Sequence, residues 1–260
     1  MNHSDLLLDA ARFREEMKPY FDEIGLVCPH PGQGSGNGLL YLAEYVMTLH
    51  MSGWLTTHDH LSFLSALTKC NAGLPSGLYG RAPWNKDQEG PDDYIGIAAA
   101  ASVCGYPHVA GDILEYGRSN PVKLWGPIKL KYVYNNELPG TFKHRDGRTN
   151  WSAWMGRNVS LIAHIQFAAG EKVSWWRKLA WIYAVLSATR HPDDQDEWIL
   201  SWMLIQTARG RFGEGLWKAA FQTVELAWTG SLYKHWPGGL NQVLKKYFNH
   251  DHPIATRFVT

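Results

Sequence analysis

Glu44, Glu89, Asp92 and Asp93 are the residues of this chain whose type and placement could do acid–base work. Hydrolysis of a glycosidic bond needs one carboxyl kept protonated as the acid and a second kept ionised as base or nucleophile, about 5–10 Å apart. Glu89, Asp92 and Asp93 fall in one polar, Gly/Pro-punctuated stretch, residues 79–93, together with Trp84, Asn85, Asp87 and Gln88. A cleft-facing Asp would act as base on a water, with Glu44 or Glu89 as the acid, its pKa raised by apolar neighbours. One of Asp92 and Asp93, with Tyr94 beside it, is expected to face a cleft next to Trp84. The other would satisfy backbone donors at a helix start. The competing arrangement is structural: Asp59, Asp92 and Asp93 complement the positive ends of helix dipoles, and Glu89 is solvated. Glu44 stands alone amid Leu39, Leu42, Tyr45, Val46 and Leu49. A solvated helix edge is the commoner place for such a Glu, and deliberate burial the rarer one.

A second set is Trp151, Trp154, Arg157 and His164. Trp151 and Trp154 are neighbours on one helix face, and Arg157, one turn on, can stack or hold an anion. The set reads equally as a sugar-binding face or as packed aromatic structure. His58-Asp59-His60 and His250-Asp251-His252 have a spacing that suits a metal on a strand or loop, but not on a helix, where the side chains diverge. There is no H-E-x-x-H and no Cys/His cluster, so neither metal nor cofactor is expected, and without G-x-S-x-G nucleophilic hydrolysis has no specific support. The Gly-rich run at 32–38 lacks a P-loop lysine and follows no strand. Trp175, Trp176, Arg177, Lys178, Trp181 and Tyr183 make a helix that resembles interfacial membrane anchors, although its apolar tail, 179–186, predicts a core helix.

The elements that must position these residues are helical. Leu6, Leu7, Ala10, Phe13, Met17 and Phe21 recur near the helical period and predict a first helix over 5–24. Asn37 is placed to cap a helix from residue 38, and Thr56 or Thr57 a second, with Asp59 in its first turn. Pro91 suits the first turn of a third. Behind it Ile95, Ile97 and Ala98–Ala100 leave almost no polar face, which predicts a central helix. Pro107 starts another helix. Residues 120–150 read as a β-hairpin excursion or a long functional loop, and helix pairs resume from 151. About ten helices joined by short turns predict one all-α domain over residues 1–260, a bundle, solenoid or α/α toroid. No fixed-period repeat supports a regular solenoid.

The bulk numbers exclude several classes. A net charge of +1 with 19% charged residues carries no nucleic-acid footprint. Cys28, Cys70 and Cys104 are odd in number and widely spaced, as in a reducing compartment, where buried thiols act as small apolar residues. The N-terminal stretch lacks the basic start and apolar core of a signal peptide, which predicts cytoplasmic expression, and no membrane span is expected. Thirteen tryptophans stand out. They suit sugar stacking, protein interfaces and bilayer edges alike.

Two resemblances follow. The helix rhythm from about residue 37 to 250, with Asn37-Gly38-Leu39-Leu40 before one helix and Gly90-Pro91-Asp92-Asp93-Tyr94 before another, resembles the α/α-toroid carbohydrate-active enzymes. That resemblance implies a central cleft lined by acidic and aromatic residues at helix N-termini, and a polysaccharide or other polar polymer as partner. A full double ring would need about two more helices than are counted, and no catalytic motif of one family aligns. Residues 37–44, 87–96 and 152–157 are also similar to uncharacterised proteins of tailed bacteriophages. That similarity implies virion association, with other virion proteins as partners. The expected function is therefore glycan binding or glycan degradation, by a hydrolase or lyase. Glu44, Glu89, Asp92 and Asp93 are the catalytic candidates. Asn37, Trp84, Asn85, Tyr94, Trp151, Trp154 and Arg157 are the binding candidates. The alternative is a non-catalytic structural or host-interaction protein.

Overall fold

The computed structural model describes residues 3–32, 37–85, 91–119, 122–125, 128–130 and 157–188, with single positions at 207, 243, 244 and 247. Among them lie seven α-helices: α1 (His3–Met17), α2 (Gly38–Met51), α3 (Thr57–Asn71), α4 (Pro91–Val103), α5 (Pro107–Ser119), α6 (Arg157–Ala168) and α7 (Trp175–Ala188). β1 (Val122–Trp125) and β2 (Ile128–Leu130) form a small antiparallel pair within 120–150, where either a β-hairpin excursion or a long loop was expected; the rest of that stretch lies outside the described residues. The fold is all-α, a helical bundle. No described helix is long and apolar enough to cross a membrane.

The first helix ends earlier than its hydrophobic period suggests. Pro19 has no N–H for an α-helical bond, so the chain passes after Met17 into a short 3-10 turn, Lys18–Tyr20. Phe21, expected on that helix, instead pairs with Val27 across a tight turn. The Asp22 carboxylate closes that turn by accepting from the Ile24 and Leu26 amides at 3.0 and 2.8 Å.

The centre is α4, as its sequence predicts: it packs against α2, α5 and α6. Ala98, Ala99, Ala100 and Ala101 are fully buried, and such small side chains let three helices approach at once. Gly96 is the closest point. A Cβ there would stand 2.8 Å from Leu40 Cδ1 and 3.3 Å from Ala43 Cβ on α2. On its other side α4 is tied to α6 by His164, whose Nε2 lies 2.9 Å from the Ile95 carbonyl oxygen.

Aromatic packing closes the α1 side of the bundle. Phe13 stacks on Tyr45 at 5.5 Å and meets Tyr247 at 4.8 Å. The Tyr247 hydroxyl donates to Glu16 at 3.0 Å, so residues near both ends of the sequence share one core. Cys28, Cys70 and Cys104 are all buried, as expected.

Candidate functional site

Residues Ala82–Asn85 form a β-turn in which the Asn85 amide donates to the Ala82 carbonyl at 2.9 Å. Pro83 presets the φ that the second turn position needs, which leaves Trp84 at the tip, 59% exposed. The turn is closed behind by the Arg81 amide donating to the Asn85 carbonyl at 3.2 Å.

Arg81 fastens this turn to two helix N-termini. Its carbonyl accepts the Leu39 amide at 2.9 Å, satisfying one of the donors that the first turn of α2 leaves open. Its Nε donates to Asp93 Oδ2 at 2.8 Å in the first turn of α4. The Arg81 side chain is 20% exposed and that of Asp93 2%. Backbone to one helix and side chain to the other, Arg81 gathers Asn37, Trp84, Asn85 and Asp93 at one pole of the bundle. The sequence reading missed Arg81. The signal was an arginine inside a Gly/Pro-rich loop, twelve residues before an acidic helix start.

Several candidate side chains sit differently from expectation. Asn37 occupies the position before α2, but its side chain makes no capping bond. Its carbonyl accepts the Tyr41 amide at 3.2 Å. Glu44, for which a solvated edge is the commoner place, is fully buried in the middle of α2. Tyr94, expected to face a cleft beside Trp84, is also fully buried, because it points into the packing around α4 rather than toward the surface. Asp93, in the first turn of α4, is held by the Arg81 side chain. Glu89, the side chain of Asp92, Trp151, Trp154 and the side chain of Arg157 lie outside the described residues; the backbone of Arg157 begins α6. His164, grouped with the last three in sequence, is instead a core residue of α6, bonded to the Ile95 carbonyl of α4.

Asp59 belongs to a separate cluster. It forms a capping box with Thr56 at the start of α3. Its Oδ2 also takes Arg14 Nη2 at 2.8 Å, and Arg14 donates to the Trp54 carbonyl at 2.7 Å. Burial pushes the Tyr45 hydroxyl up to about 12, and the nearby Asp59 charge adds to the rise. The Cys104 thiol, just past the end of α4, is pushed up to about 12 by burial first and Asp59 second. Asp59 thus acts on Cys104, just past the end of α4, whereas Asp93 sits in the first turn of that helix with Arg81. His58 and His60 sit on the helix start, where their side chains diverge, and no described group of three His, Cys, Asp or Glu residues could hold a metal ion.

Glu44 is enclosed, Asp93 is engaged by Arg81, and Trp84 presents its indole to solvent. No family model, curated protein or solved structure matches the chain.

Proposed function

We propose that the protein is a non-catalytic interaction protein that holds a glycan or similar polar polymer against Trp84. The observation that carries this reading is the mounting of Trp84: a large flat ring, mostly exposed, on a Pro-turn bonded to the starts of two core helices. A ring held this way loses little freedom when a sugar stacks on it, and Asn85 and Asn37 place amide groups at the same pole. The degrading-enzyme alternative needs two accessible carboxylates. Glu44 and Asp93 are respectively enclosed and held in an ion pair, which weighs against that pair.

The test is a panel of immobilised polysaccharides and oligosaccharides probed with the folded protein and with Trp84→Ala. The expected result is retention of the wild type on at least one glycan class, lost in the variant, with no release of shorter chains. Chain cleavage that disappears in Asp92→Asn or Glu89→Gln would return the protein to the enzymes.

A further inference from the structure

The tryptophans of α7 form a second surface, away from the Trp84 turn in sequence and built differently. Trp175 is 74% exposed, Trp176 47% and Leu179 55%. Positions 175, 176 and 179 lie on one side of a helix, so they make one apolar patch at the start of α7. This departs from the expectation that the whole stretch from 179 onward is core. Burial begins only at Trp181, which is 1% exposed and meets Phe167 edge-on at 5.9 Å.

The charges around the patch are sorted. Glu171, in the turn before α7, is drawn inward by Arg118 Nη2, at 2.9 and 2.7 Å from its two oxygens, and by Gln166 at 3.2 Å. Those bonds hold its carboxyl below the usual range against the opposing pull of burial. Lys172 is exposed next to it, Lys178 follows on α7, and Arg177 lies 5.0 Å over the Trp176 ring. Arg177 also donates to Gln166 at 2.9 Å, which pins the start of α7 to α6. Among the described residues the charges beside the tryptophans are therefore cationic, and the described carboxylate, Glu171, is neutralised by Arg118.

We propose that this end of α7 is a docking surface for an anionic lipid bilayer. Tryptophan has an apolar body and one polar tip, which suits the headgroup level, and nearby lysines add attraction to anionic lipid. The patch is short. A partner helix laid along α7 would need apolar anchors continuing one turn past Leu179, but Ile182 is half-buried against the core. A shallow, rigid, two-tryptophan contact with a cationic rim matches a membrane surface better than a groove for a peptide.

The experiment is co-flotation of the whole protein with vesicles of phosphatidylcholine alone, and of phosphatidylcholine with about one quarter phosphatidylglycerol. The wild type is expected to float with the anionic vesicles only, with a blue shift in tryptophan emission. Trp175→Ser/Trp176→Ser should lower the binding at least about tenfold, Lys172→Glu should lower it measurably, and added salt should weaken it. All these side chains are surface-placed. If the double serine variant fails to fold, Lys172→Glu with Lys178→Glu carries the test. Trp84→Ala should float as the wild type does, which separates this proposal from glycan binding. Absence of flotation, equal flotation of the variants, or a wild-type dimer that the serine variant dissolves would overturn it; the last would make a second copy the occupant.

Discussion

Arg81 holds Asp93 at 2.8 Å through its Nε while its own carbonyl takes the amide of Leu39 at 2.9 Å, so one loop residue joins the starts of α2 and α4. Removing the guanidinium leaves a carboxylate that is almost wholly enclosed without its cation. Arg81→Met is expected to cost about 3 kcal/mol in urea unfolding, and Asp93→Asn somewhat less, since Arg81 keeps some contact with water. In a double-mutant cycle the two changes should be non-additive by about 1–2 kcal/mol. Additive costs of a few tenths would show that the pair does not organise this pole.

His164 gives the molecule a pH signature. Nε2 faces a carbonyl oxygen, which only accepts, so Nε2 carries the proton in the neutral ring and Nδ1 is a buried lone pair. Burial lowers the imidazole pKa to about 4, and the Ile95 bond opposes the shift only in part. Between pH 6.5 and about 4 the unfolded chain binds a proton that the folded one refuses. The stability present above that window is therefore lost as pH falls through it, by about 3 kcal/mol. The unfolding free energy of His164→Gln, set against the wild type across this range, should lack that slope. Parallel curves would place the titrating group elsewhere.

Cys104 should be chemically quiet. With its thiol pushed up to about 12 and 4% of the residue exposed, almost no thiolate is present at neutral pH. Labelling by a thiol reagent is expected to be slow in the folded protein and fast in denaturant. Because the Asp59 charge contributes to the rise, Asp59→Asn should move the thiol downward. Rapid labelling of Cys104 in the native state would contradict this packing.

The helices were legible from period and punctuation because both are local properties. Ile95, Ile97 and Ala98–Ala100 marked α4 as central, since a helix with almost no polar face has nowhere to go but inside. The Thr56–Asp59 start of α3 was equally readable. Pro19 carried the signal for the early end of α1, but the apolar period running on to Phe21 masked it. The candidate site was half legible. Its location at the loop before α4 follows from composition, whereas the Arg81–Asp93 bond depends on which side chains meet after folding. Glu44 shows the same limit: a lone carboxylate among apolar neighbours has one sequence pattern whether it is solvated or enclosed.

The most direct measurement is the affinity of the folded protein for the best glycan of the panel, taken for the wild type, for Trp84→Ala and for Trp175→Ser/Trp176→Ser. Trp84→Ala should weaken binding at least about tenfold while its thermal melt stays within a degree or two of the wild type, because the ring is on the surface. The α7 variant should bind the glycan unchanged. Equal affinity in Trp84→Ala, or loss only in the α7 variant, would contradict the account.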